Sequence, residues 1–233
     1  MPFSVPVGHD VVIPVTGLGC GRAGLAATLG VPDGARGLVA FVHGSSSGRR
    51  SPRDSYVAEA LRRAGLATLL FDLLTPEERV EDEATMQLRF DVELLAERVA
   101  QVVRWLERQP PLGALPVGLF GASTGAVAAL AAALSLPGRV DAVVSRGGRP
   151  DLLGPELLRR IRAGVLLIVG GRDELVLSLN RSALPHLASA ALAVVPGASH
   201  LFEEPGALTA VARVAAEWFQ HHLRAQPELQ PSG

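Results

Sequence analysis

The sequence has no lysine; all 22 of its basic residues are arginine. That excludes lysine Schiff-base chemistry, attachment of pyridoxal phosphate and the lysine of a phosphate-binding loop. It has one cysteine, Cys20, so no disulfide can form within the chain, and no Cys/His cluster has the spacing of zinc ligands. A net charge of −1 supplies no basic field for nucleic acid or an anionic membrane. The opening MPFSVPVGHD lacks the basic stretch and apolar run of a signal peptide. No apolar run reaches the roughly 18–20 residues that span a bilayer, and the Ala/Leu-rich run 126–136 reads as a buried helix. The expectation is a soluble, cytoplasmic protein with neither a nucleic-acid nor a membrane partner.

What is present is a large apolar fraction, 48% of 233 residues, enough for one well-developed core. One domain is expected over residues 1–224, with 225–233 as a frayed tail. Two antiparallel strands, 11–15 and 22–29, flank the Gly-rich turn TGLGCG. Continuous apolar runs then alternate with helical patterns, the runs at 37–44, 66–74, 115–121, 140–145, 165–170 and 191–196. Such runs mark strands buried on both faces. Helical spacing falls at 56–65, about 88–108, from near Thr124, and near 155–162, 179–188 and 205–224. The pattern predicts an α/β fold: a mostly parallel, doubly wound sheet of about eight strands with an antiparallel N-terminal hairpin and no large cap domain. The acidic stretch 75–87 reads as a solvated surface loop, with a flap over an active site as the alternative.

Two glycine motifs are decoys. Gly19-Cys20-Gly21-Arg22-Ala23-Gly24 matches G-x-G-x-x-G, but a dinucleotide site needs a preceding strand and a following helix, and strand follows here. The run 44-GSSSGRRS-51 lies between a strand and a helix like a phosphate loop, yet its glycines are too closely spaced and the lysine is missing. A weak anion-binding nest is the remaining use of its N–H groups in that role.

Ser123 lies in 121-GASTG-125, between an apolar strand and an Ala-rich helix, the setting of a nucleophile elbow. A serine hydroxyl is a poor nucleophile until a histidine takes its proton, an acid orients that histidine and N–H donors receive the oxyanion. Asp173, after the strand 165–170, is the candidate acid, and His200, in the loop after the last strand, is the candidate base. Alone, Asp173 reads as a helix cap and His200 as a solvated loop residue; the chain order Ser, Asp, His joins them. The backbone N–H groups of Ser45 and Thr124 are the candidate oxyanion donors.

These motifs, 43-HGSSSG-48, 121-GASTG-125, 171-GRD-173 and 197-GASH-200, give the chain its resemblance to the α/β hydrolases, and within them to compact dienelactone-hydrolase-like members, over about residues 9–223. The resemblance implies Ser123 as nucleophile, His200 as general base and acid, and Asp173 as its orienting partner, with no metal or organic cofactor. Dienelactone hydrolases proper carry a cysteine nucleophile, so serine favours ordinary ester hydrolysis of a small molecule. Segment 145–151, SRGGRPD, also resembles hydrolase domains fused to phosphoribosyltransferases, though no such partner domain is expected within these residues. Only about ten residues separate the strand ending at Ser145 from the next helix, too few for a helical cap, which favours short acyl esters. His43, Ser46, Arg146 and Arg149 are candidate substrate contacts, the arginines as receivers of a carboxylate or phosphate. Thioesterase, lactonase, perhydrolase and acyltransferase activities need the same residues. A non-catalytic binding protein on this fold usually lacks one of the three, and none is missing.

Overall fold

A computed structural model describes residues 8–16 and 22–223. Cys20, the predicted turn at 16–21 and the tail 225–233 fall on or across positions outside the described residues.

The chain runs β1 (His9–Thr16), β2 (Arg22–Gly30), β3 (Leu38–Val42), α1 (Pro52–Arg63), β4 (Ala67–Phe71), α2 (Pro76–Thr85), α3 (Val92–Leu106), β5 (Val117–Ala122), α4 (Thr124–Ser135), β6 (Ala142–Arg146), α5 (Gly154–Leu158), β7 (Gly164–Gly170), α6 (Glu174–Ala183), β8 (Ala190–Val195) and α7 (Ala207–His222). Eight strands form one sheet in the order β1-β2-β4-β3-β5-β6-β7-β8. β1 and β2 join antiparallel at one edge, and β4 through β8 run parallel. The expected architecture is therefore observed.

The order reverses at β3, which lies between β4 and β5. In open α/β sheets a crevice opens outside the strand C-termini at such a reversal. Here the loop after Val42 and the turn after Ala122 leave the sheet side by side, since Val42 and Gly121 pair in register.

Period-two alternation divides the core between the sheet's two faces. Val39 and Phe41 of β3, Val144 of β6 and Ile168 of β7 face α1 and α7, where Val57, Leu61, Val211 and Phe219 are buried. Leu38, Ala40 and Val42 face the other way, toward Val99 and Val103 of α3 and Ala128 and Ala129 of α4. α4 buries residues on nearly every side, as its Ala-rich sequence requires. Among the described residues, no helix is long and apolar enough to cross a membrane.

Two boundaries differ from expectation. Residues 75–87 are not a loop: they contain α2, started by a reciprocal capping box. The Thr75 hydroxyl accepts the Glu78 N–H (3.2 Å), and a Glu78 carboxylate oxygen accepts the Thr75 N–H (2.9 Å). Pro76 occupies the first turn, where its missing N–H costs nothing. The inward side chains of α2 are Glu78 and Asp82 rather than apolar residues. The second difference is α6, which begins at Glu174, directly after Asp173, rather than near 179.

Glu78 also accepts from the buried Arg98 guanidinium of α3, which in turn donates to the Thr16 carbonyl. One arginine thus joins α2, α3 and the end of β1. Losing one member of a buried pair strands the other's charge, so Arg98→Met is expected to cost about 3–5 kcal/mol. Pairing it with Glu78→Gln should recover part of that loss, as read by urea unfolding. A cost below about 1 kcal/mol would show that water reaches the pair.

Candidate active site

The turn from β5 into α4 is the tightest point of the fold. Ser123 holds φ 51° and ψ −119°, a strained conformation for a residue with a side chain. Its neighbours permit this only by being small. A Cβ on Gly121 would collide with the backbone of Ala126, and one on Gly125 with the carbonyl oxygens of Val42 and His43. The strain is held by backbone hydrogen bonds: Ser123 N–H donates to the Arg146 carbonyl (3.0 Å), and Ala126 N–H donates to the Ser123 carbonyl (3.0 Å).

The loops after β3 and β6 lie against this turn, and the loops after β7 and β8 join each other and the β6 loop. A Cβ on Gly44 would lie 3.5 Å from Ser123 Cβ, so the loop after β3 lies against the serine. Gly147, next to the carbonyl that receives Ser123 N–H, lies under the imidazole of His200; a Cβ there would be 3.2 Å from its Cε1. His200 Nδ1–H donates to Asp173 Oδ2 at 2.6 Å, a short charge-assisted bond. Arg172 N–H donates to the Ala198 carbonyl (2.9 Å), tying the aspartate loop to the histidine loop. Asp173 occupies the N-cap position of α6, yet its side chain makes no capping bond there; the carboxylate turns to His200 instead. Nε2 is left as the ring's acceptor nitrogen. Among the described residues Ser123 Oγ makes no hydrogen bond. Such contacts are often long in an enzyme without substrate and tighten once it binds.

Ser45 and Thr124 are brought together, but not as two free donors. Ser45 N–H donates to the Thr124 hydroxyl at 2.9 Å. Ser46 is exposed on the same loop.

Three of the candidate substrate contacts have partners within the chain. His43 spends both ring nitrogens on backbone: Nδ1–H donates to the Gly44 carbonyl (2.9 Å) and Nε2 accepts the Leu73 N–H (3.2 Å). It fixes the shape of the loop rather than offering a polar atom. Arg149 forms a two-pronged pair with Asp151 (2.8 and 2.7 Å). Arg146 is buried, with Nη2 3.3 Å from Asp54 Oδ1 of α1 and its guanidinium over the Phe202 ring. Burial lowers the arginine's proton affinity and Asp54 works against that. Neither arginine presents a free fork.

A cavity of about 240 Å³ opens beside this loop, lined by Gly44, Ser45, Ser46 and Leu73 and walled by Arg79, Asp82 and Glu83 of α2. These wall residues escape a reading of hydrophobic periodicity. The pattern 75-TPEE-78, a cap hydroxyl, a proline and an acid three residues on, is the signal that marks the helix. Among the described residues no group of three or more His, Cys, Asp or Glu could hold a metal ion.

No family model matches the chain. A crystal structure of dienelactone hydrolase from Anabaena variabilis is similar at 52% identity and TM-score 0.87, over 94% of this chain and all of that one. Est1E from Butyrivibrio proteoclasticus shares the fold at 15% identity and TM-score 0.76, over 91% of this chain and 98% of its own. A Mycobacterium tuberculosis H37Rv protein, provisionally named a phosphoribosyl transferase, is 55% identical over 204 residues, 87% of this chain and 45% of its own length. The chain spans about half the length of the curated relatives it matches.

Fold and relatives together place the chain on the α/β-hydrolase fold, beside a relative named as a hydrolase. The chain belongs to the dienelactone-hydrolase-like family of that superfamily.

The buried His43 yields a prediction. Desolvation disfavours its imidazolium and holds its pKa below the ordinary histidine value of 6.5. The unfolded chain therefore binds more protons than the folded one between the folded and unfolded pKa values. The stabilisation is complete above about 6.5 and is lost as pH falls toward the lowered value. Urea midpoints should drop across that window, and the drop should shrink in His43→Gln. An identical profile in that variant would remove His43 as its source.

Proposed function

We propose that the protein is a serine esterase that cleaves small carboxylic esters through an acyl-enzyme. The observation that carries this reading is the 2.6 Å bond between Asp173 and His200, formed by a carboxylate that makes no capping bond; the His200 ring lies over Gly147, next to the carbonyl that receives the N–H of Ser123 on its strained elbow. The Asp173 carboxylate fixes the tautomer with the proton on Nδ1 and leaves Nε2 to accept one.

In the first step Ser123 Oγ bonds to the ester carbon while its proton passes to His200 Nε2. The carbonyl π pair moves onto oxygen, giving a tetrahedral oxyanion. That oxygen is received by the N–H of Thr124, at the positive end of α4, and by the N–H of Ser45. To reach the second donor it replaces the Thr124 hydroxyl, which the Ser45 N–H now holds. As the C–O bond to the alcohol breaks, Nε2–H protonates the departing oxygen. Water then attacks the acyl carbon, losing its proton to the same nitrogen, and the acid leaves as Ser123 recovers its hydrogen. The 240 Å³ cavity beside Gly44 and Ser45 suits a short acyl or alcohol group. The relative named dienelactone hydrolase supports this class of chemistry, since a lactone is an internal ester.

Hydrolysis of p-nitrophenyl acetate by purified variants tests the assignment. Ser123→Ala is expected to lower kcat by at least about 10³, and Asp173→Asn, which removes the tautomer lock, by about 10²–10⁴. Full activity in Ser123→Ala would dismiss the mechanism.

A further inference from the structure

The proton relay leaves the stretch 46-SSGRRSPR-53 without a role. It turns from the loop beside Ser123 into α1 and brings Arg49, Arg50 and Arg53 within five residues. With Arg79 of α2 these line an open cleft of about 490 Å³ that contains one carboxylate, Asp72. Asp72 is shared: it accepts from Arg49 N–H (3.0 Å), and its Oδ2 lies 3.5 Å from Arg49 Nε and 3.0 Å from Arg79 Nη2. Arg49 also reaches Asp10 (3.1 Å) and the Thr28 hydroxyl (2.8 Å), and Arg53 reaches Glu203 (3.1 Å); the Asp10 and Glu203 side chains are 69% and 64% accessible. The Arg53–Glu203 pair is of the exposed kind that holds its arginine weakly, whereas Arg49 is mostly buried and held by three side chains. Arg50 is exposed and has no carboxylate partner among the described residues. Positive charge thus exceeds negative in a concave site.

The N-terminus of the 12-residue α1 adds to it. Ser51 caps the Asp54 N–H and Pro52 has no N–H to give, so among the first helical residues the N–H of Arg53, a residue of the cleft lining, is left uncapped. Arginine forks and an uncapped helical N–H together suit a phosphate, which offers three oxygens and up to two charges. The cleft shares Ser46, Ser47, Asp72 and Arg79 with the cavity beside Gly44 and Ser45, so the two adjoin.

We propose that this cleft binds the phosphate or pyrophosphate group of a substrate whose ester lies at Ser123. The substrate class is then a phosphorylated ester, cleaved at its carboxylic linkage with the phosphate as a handle. This rests on the esterase reading for the reaction, but not for the binding of the anion.

Two measurements separate those parts. Calorimetric titration of the intact protein with inorganic pyrophosphate at low ionic strength should show saturable binding. Arg50→Ala and Arg53→Ala should each weaken it about tenfold, the order of one charge-assisted hydrogen bond. Both residues lie outside the core, so loss of binding need not mean loss of fold, and unchanged circular dichroism would verify that. The second measurement compares kcat/KM for 2-phosphoethyl acetate and the neutral 2-methoxyethyl acetate. The wild type should favour the phosphorylated ester at least about tenfold, and the ratio should collapse toward one in either variant. Absence of saturable binding, or binding indifferent to both arginines, overturns the anion site. Arginine-dependent binding with equal rates for the two esters overturns its role in substrate choice. Arginine-dependent binding with neither ester cleaved overturns the esterase reading and leaves the anion site standing.

Discussion

The backbone crossing at residues 121–126 is the constraint on which the site depends. β5 must end and α4 must begin within two residues, close enough to β3 that Gly125 has no room for a side chain beside the carbonyls of Val42 and His43. That proximity forces Ser123 into a positive-φ conformation and lifts its hydroxyl out of the sheet. It also brings the loop after β3 to the start of α4, where the Ser45 N–H donates to the Thr124 hydroxyl. The strain is affordable because β5 is the neighbour of both β3 and β6, so residues on either side of the turn are fixed by the sheet.

Arg146 links this crossing to the rest. Its carbonyl takes the Ser123 N–H, its side chain reaches Asp54 of α1, and its guanidinium lies over Phe202, two residues past His200. Phe202 itself holds φ 56°, so the histidine loop bends where the arginine meets it. A buried ion pair adds little net stability, because desolvation offsets most of its attraction. What this pair gives is registration: α1, the serine turn and the histidine loop share one buried cation.

Some of this was legible in the sequence for simple reasons. Runs such as VLLIVG at 165–170 can hardly be anything but strands covered on both faces, and their alternation with helical patterns leads to the parallel sheet. GASTG announces its turn because only small residues tolerate the crossing. α2 was hidden because its inward side chains are Glu78 and Asp82, leaving hydrophobic periodicity nothing to detect. The destination of the Asp173 carboxylate was hidden too: capping α6 and orienting His200 both begin from an aspartate before a helix, and only the 2.6 Å contact separates them. The pairing of Arg146 with Asp54 spans 92 positions and leaves no local trace.

The central claim is that Ser123, His200 and Asp173 act as one proton-passing unit facing the N–H groups of Ser45 and Thr124. A crystal structure of the protein after reaction with diisopropyl fluorophosphate tests it most directly. The account predicts a phosphoryl group bonded to Ser123 Oγ, its oxygen within about 3 Å of both N–H groups, and His200 still bonded to Asp173. Unmodified Ser123 in well-ordered crystals, or an adduct on another residue, would contradict it.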